Sequence, residues 1–181
     1  MSARNNKTLL TILIAIPVVL IIAGAFALSI SAVVENVRFI NATDQILSLV
    51  SSVRSIAVQQ SGFAQTPGED VWGDLEKAGQ TIKASDHFNP WQGEMRAVTV
   101  APAAMRIEND LLTHDCRRLA LYFLSQKPAE LGLLAVEAQA IGSSVWTSVD
   151  LNATETIRDA LVGNACGKAR FARLAVVLRV K

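Results

Sequence analysis

The sequence predicts an α+β fold in which a long N-terminal helix, membrane-spanning in its first half, runs on into a domain of mixed helix and strand and supplies part of its core. Three observations predict it. An uncharged run from Thr8 to Val34 contains 21 residues of the hydrophobic set among its 27. Beyond it the apolar residues Val37, Ile40, Leu47, Val50, Val53 and Ala57 advance in threes and fours, with no Pro or Gly between Glu35 and Ser61. After Pro90 and Gly93, short β-forming runs bounded by turn residues alternate with one clear helical pattern.

Taken in order, residues 1–7 form a basic, leader-like cytoplasmic segment carrying Arg4 and Lys7, which by the positive-inside rule hold the N-terminus in the cytoplasm. Residues 8–34 form the transmembrane half of the first helix; as a helix they reach roughly 40 Å, against ~30 Å of bilayer hydrocarbon. A secretory signal cleaved at Ala25-Phe26-Ala27 and a helix buried in a soluble core are the other fates for this run. The apolar stretch continues past the first, and a core that covers a helix on every face needs a much larger protein, so a retained anchor is the reading that fits. Pro17 removes one helical hydrogen bond, and Gly24 with Ala27 and Ser31 gives a neighbouring helix room to approach. Residues 35–61 are the amphipathic half, where Ile46, Leu49 and Ile56 widen the apolar stripe. The two halves make one helix of about fifty residues, roughly 75 Å long, which supplies part of the domain core.

Residues 62–181 are expected to form the external α+β domain. Gly62 to Gly79, interrupted by Pro67-Gly68 and Gly73, reads as a surface connection. Met95 to Ala101 reads as a strand that Pro102 ends, and Ala104 to Glu108 as a short partner. Thr113 is the expected N-cap of a helix through Ser125, with Asp115 in its first turn. A strand over Leu133 to Ala138, a short helix from Asn152 or Thr154 through Val162, and a last strand over Phe171 to Val180 complete the domain.

Charge and cysteine content bound the function. Seventeen basic and 16 acidic side chains give a net charge of +1, so no nucleic-acid partner is expected, and Arg170, Arg173, Arg179 and Lys181 read as a solvated strand face. Half of the residues being hydrophobic, with ten Gly and two Cys, excludes disordered, collagenous and disulfide-dense classes. An external compartment favours a bridge between Cys116 and Cys166 over two buried thiols. His114-Asp115-Cys116 holds three reactive residue types, but helix neighbours point about 100° apart, which is not the arrangement of nucleophile and base. Asp86-His87 lacks further metal ligands at a useful spacing, and the sequons Asn41-Ala-Thr43 and Asn152-Ala-Thr154 are short enough to arise by chance. With no phosphate-binding glycine loop, nucleophile elbow or Cys-x-x-Cys pair, neither catalysis nor a cofactor or metal is expected.

The order of these features resembles the type IV pilins, especially the type IVb group that includes pilins of conjugative and secretion-linked thin pili. The resemblance covers nearly the whole chain. It rests on Lys7-Thr8-Leu9-Leu10 opening a long helix, a variable loop, Asn89-Pro90-Trp91-Gln92-Gly93 leading into a strand, a helix carrying Cys116, and Cys166 before the last strand. It implies a pilin-like fold with the long helix packed on a small, twisted antiparallel sheet, and a structural filament subunit in pilus, adhesion, conjugation or secretion, whose first helix packs in the filament core through positions such as Thr11, Pro17, Leu20, Gly24 and Ala27. The implied partners are other pilin subunits in a homo- or hetero-oligomeric filament, the bacterial inner membrane, the pilus assembly machinery and a prepilin peptidase. Its alignment puts Asn6 before the peptidase cut, Lys7 first in the mature chain, and Thr11 where the family carries glutamate. A filament end, or a subunit that keeps residues 1–6, accommodates this departure. The alternative from another class is an uncleaved bitopic protein whose periplasmic domain senses or adheres.

Overall fold

The computed structural model of the chain describes residues 3–60, 67–78, 87–101, 103–126, 130–149, 162–167 and 170–180; within the first helix, the side chains of 3–16, 18–19, 22–23, 25–28 and 58–60 lie outside the described set. It divides into two compact units, Met1–Arg38 and Phe39–Lys181. Helix α1 runs over Ala3–Gln60 with Pro17 inside it. The described part of the first unit is therefore all helix. Residues from Phe39 onward belong with the second unit, so the amphipathic stretch divides between the two at a point that its periodicity does not mark.

Among the described residues, no helix is long and apolar enough to cross a membrane. The expected span over 8–34 is helical in its backbone, and its membrane role is not among the observed features of the fold.

In the second unit, the five strands β1 (Met95–Ala101), β2 (Ala104–Leu112), β3 (Leu133–Ala140), β4 (Thr147–Val149) and β5 (Phe171–Arg179) form one sheet in the order β1-β2-β5-β3-β4. Every pairing is antiparallel. The last strand thus lies in the middle, with Val176 opposite Ile107 on one side and Val136 on the other. Alternation gives the sheet an apolar face. Met95, Ala97, Met105, Ile107, Leu111, Val136, Ala138, Ala172, Leu174, Val176 and Leu178 are buried in a single core. That core also contains Ala42, Ile46, Leu49, Val50, Val53, Ile56 and Ala57 of α1, together with Leu119, Ala120, Phe123 and Leu124 of helix α3 (Thr113–Ser125).

Several boundaries differ from expectation, each for a local reason. The connection after α1 contains a helix, α2 (Trp72–Ala78), started by the Asp70 carboxylate accepting the Trp72 N–H at 3.0 Å and anchored by buried Val71, Trp72 and Leu75. Just before it, Gly68 N–H donates to Thr99 O, Thr99 N–H to Glu69 O and Val71 N–H to Ala97 O, so residues 68–71 pair with the β1 edge. Strand β2 continues four residues past Glu108 because Asn109 is satisfied by Asn89 and Asp110 by Arg173. Thr113 is the first helical residue of α3, and the N-cap is Leu112, which makes no side-chain cap. Strand β3 runs two residues further than expected, to Ala140. The three-residue β4 carries too short a pattern to read. The expected helix from Asn152 falls largely outside the described residues, of which 162–165 are helical.

Asn89-Pro90-Trp91-Gln92-Gly93 folds around one buried side chain. Asn89 Oδ1 accepts the N–H groups of Trp91 and Gly93, while Nδ2 donates to Asn109 Oδ1 and Asp110 O, all at 2.8–3.0 Å. Gln92 adopts φ 64° in this turn. Gly93 is required by contact, since a Cβ there would stand 1.8 Å from Asp110 O. The motif is thus the turn that brings the chain into β1 at its register with β2.

Candidate functional site

The first candidate is the apolar surface of the first unit. Several aliphatic side chains of α1 are exposed: Leu20 at 66%, Ile21 at 71%, Ile30, Val33, Val34 and Val37. Single exposed aliphatics are ordinary, whereas a continuing series on one element marks a contact surface. Of the assembly residues expected from sequence, Pro17, Leu20 and Gly24 are exposed, and a Cβ at Gly24 would meet nothing within 4 Å. The side chains of Thr11, Ala27, Asn6 and Lys7 lie outside the described set.

The second predicted feature is present. Cys116 of α3 and Cys166, with Cα atoms 6.0 Å apart, form a disulfide across 50 positions, and both are fully buried. Arg117 Nη2 donates to Gly167 O at 3.2 Å and lies 3.4 Å from Gly163 O, so a second tie holds the Cys166 segment to the same helix. With its sulfur in the bridge, Cys116 offers no thiolate to the neighbouring His114, whose Nε2 lies 3.1 Å from Asp115 Oδ1. In the chain-entropy picture a bridge closing this loop contributes about 4 kcal/mol.

A third feature escaped the sequence reading. The sheet face opposite the core is an ionic lattice. Register places Glu108 of β2 opposite Arg96 of β1, and Asp110 opposite Arg173 of β5. Arg173 forms a two-bond fork on Asp110, Nε to Oδ1 at 2.5 Å and Nη2 to Oδ2 at 3.0 Å. Arg96, Arg106 and Arg173 each place a guanidinium nitrogen within 4.0 Å of a Glu108 carboxylate oxygen. Arg106 also reaches across β5 to Glu137 of β3, 2.6 Å from Nη2, passing the small Ala175 that stands between Glu108 and Glu137 in register. The same guanidinium stacks 4.5 Å over the Trp146 ring. Burial pushes the Glu108 carboxyl up from its ordinary value, and the three guanidinium groups oppose that shift without cancelling it. The hydrogen bond to Asp110 holds the Arg173 guanidinium more firmly charged. The signal was legible in part: Glu94 and Arg96, then Arg106, Glu108 and Asp110, alternate at the strand period on one face. What it lacked was the pairing of β2 with β5, sixty residues away.

The fourth is an open groove of about 660 Å³ in the second unit, lined by Leu47, Val50, Ser51, Arg54 and Ser55 of α1 with Glu130 and Leu131. Arg54 Nη1 donates to Leu131 O at 3.3 Å across its rim. The lining is mixed: three aliphatic residues, two serines, Arg54 and Glu130.

Comparison with family models, with curated proteins and with solved structures finds no match to this chain.

Proposed function

We propose that the chain is a structural subunit of a type IVb pilin-like filament, assembling by packing of its first helix. The single observation that supports this reading most is the exposed aliphatic series Leu20, Ile21, Ile30, Val33 and Val37 on α1, in a chain whose second unit has a full core of its own. The long N-terminal helix, the antiparallel sheet and the Cys116–Cys166 bridge occur in the order the resemblance implies. Before assembly, the uncharged run 8–34 holds the subunit in the bacterial inner membrane, N-terminus inside, with the disulfide-bonded domain in the periplasm. Thr11 supplies a hydroxyl and no counter-charge for a neighbour's amino terminus. An unpaired charge in an apolar core costs several kcal/mol, so the subunit sits at a filament end or keeps residues 1–6.

Mechanical shearing of intact cells, followed by N-terminal sequencing of the released material, tests the reading. Recovery of the chain with the sheared filaments is the expected result. A chain that stays wholly in the membrane fraction with Met1 intact belongs instead to the bitopic sensor or adhesin class. Even labelling along the shaft with an N-terminus at Lys7 keeps the filament and removes the charge argument.

A further inference from the structure

Strand register gathers several exposed side chains at one end of the second unit. There Phe171, the first residue of β5, stands opposite Leu112, the last of β2, and Ala172 stands opposite Ala140, the last of β3. The hairpin between β3 and β4 therefore projects at this end, with Ile141 50% and Val145 68% exposed; Phe171 is 45% exposed. Ser143 N–H donates to Ala140 O and Val145 N–H to Ser143 Oγ, so the hairpin is braced. Helix α3 begins at the same end, where Thr113 N–H donates to Arg170 O at 3.2 Å, and it adds exposed Arg117 to exposed Arg170. Arg118 of the same helix stacks 4.0 Å over the ring of Phe39, the first residue of the second unit. This is thus the end at which α1 enters the unit.

The end is cationic as well as apolar. No acidic residue occurs from Ala138 to Val149 or from Val162 to Lys181, and the second stretch holds five basic ones. Asp115 is buried, and the acids of the neighbouring strands, Glu94 and Asp110, are matched by Arg96 and Arg173. Among the described residues, neither Arg117 nor Arg170 forms an ion pair; Gly163 O and Gly167 O orient Arg117 without neutralising it. Exposed apolar tips beside cations suit the boundary of an anionic membrane, where the tips enter the headgroup layer and the cations meet phosphate. Phe39 follows Val34, where the uncharged run ends, by only five residues, a reach of at most about 18 Å even when fully extended. We propose that, while residues 8–34 are in the membrane, this end of the domain docks on the anionic lipid headgroups of that same membrane through Ile141, Val145, Phe171, Arg117 and Arg170. The inference rests on the membrane-held stage of the filament reading. It adds a docked state that covers the apolar tips until assembly lifts the domain away.

The test reconstitutes the full-length chain, disulfide intact, in phosphatidylglycerol vesicles and in phosphatidylcholine vesicles. A photo-reactive benzophenone side chain replaces Val145, Phe171 or, as the control, Arg179, exposed at the far end of β5 and about 26 Å from Phe171. Lipid adducts, counted by mass spectrometry, should form from 145 and 171 in phosphatidylglycerol and be several-fold fewer from 179. With the probe at 145, Arg170→Glu, Arg117→Gln, about 0.5 M salt and phosphatidylcholine should each lower the yield several-fold, with the circular dichroism spectra of both variants unchanged. Yields from 145 and 171 no higher than from 179, or insensitive to either substitution or to lipid charge, overturn the docking. Flotation after a carbonate wash separates the two failures. A chain that floats without these adducts keeps its anchor and loses this contact; a chain that does not float loses the membrane-held stage and the contact together.

Discussion

Residues 20–37 and residues 46–57 lie on the same helix and draw on the same aliphatic types, yet they have opposite fates. Ile46, Leu49, Val50, Val53 and Ile56 are buried in a core with the sheet, while Leu20, Ile21, Ile30, Val33 and Val37 are exposed. Hydrophobic content therefore does not decide burial here. The difference is pattern: in 46–57 the apolar positions share a stripe with serines and Arg54 between them, whereas 8–34 is apolar on all sides and cannot be satisfied by one flat sheet face. The second unit is stabilised by its own contacts, and the described aliphatic side chains of the first are exposed.

The sharpest way to separate the regions is to remove what only the second unit contains. Cys116→Ser or Cys166→Ser should lower the domain's unfolding free energy by about 4 kcal/mol. In a denaturant titration followed by near-ultraviolet dichroism, the domain transition should move while the far-ultraviolet helix signal of the first unit persists; coincident loss of both would show that the two regions are one cooperative body.

Next comes a matched pair. Leu49→Ala should cost about 2–5 kcal/mol, since Leu49 is 4% exposed in the core. Leu20→Ala should cost the folded domain less than about 0.5 kcal/mol, and under the proposed filament role it should reduce filament yield. Equal melting temperatures for the two variants would break the comparison.

Asn89→Ala tests whether the domain's entry turn depends on one side chain. It leaves two N–H groups, Asn109 Oδ1 and Asp110 O without their partner, and a cost of about 1–3 kcal/mol is expected for buried groups left unpaired. Hydrogen exchange should speed up at Trp91, Gly93 and the start of β1 and nowhere in the first unit.

The smallest effect concerns the ionic face. Because burial raises the folded-state value of Glu108 above that of the unfolded chain, the native state holds this proton more tightly. The group's contribution is therefore most favourable below the ordinary carboxylate value and is lost as pH rises through the raised one. From this residue alone, stability should fall as pH rises from below the ordinary carboxylate range towards neutrality. Glu108→Gln should flatten that slope in a series of thermal melts; an unchanged slope assigns it to other carboxylates.

How far these features could be read from the residues follows the same division. The long helix, the first strand, the helix over 113–125 and the last strand were legible because each carries a sustained period or a nearby Pro or Gly, and the disulfide was legible from an even cysteine count. Helix α2 was missed because seven residues with Gly73 inside look like a loop, and its stability comes from the Asp70 cap and burial of Trp72 and Leu75. The extra length of β2 was hidden because Glu108, Asn109 and Asp110 look like a turn until Asn89, Arg96 and Arg173 are placed beside them. The groove depends on residues 130–131 lying against α1, and no local pattern encodes that.

The position of β5 bears on biosynthesis. Residues 171–179 pair with β2 on one side and β3 on the other, so neither half of the sheet has its central partner until that segment has been made and delivered. A chain emerging N-terminus first would present the first helix early and the exposed edges of β2 and β3 for the longest time. Such edges are the usual seeds of misassembly. Folding of the domain thus waits for its last strand: a nascent chain arrested before Phe171 should remain sensitive to protease across 95–149, and resistance should arrive in one step once β5 is free.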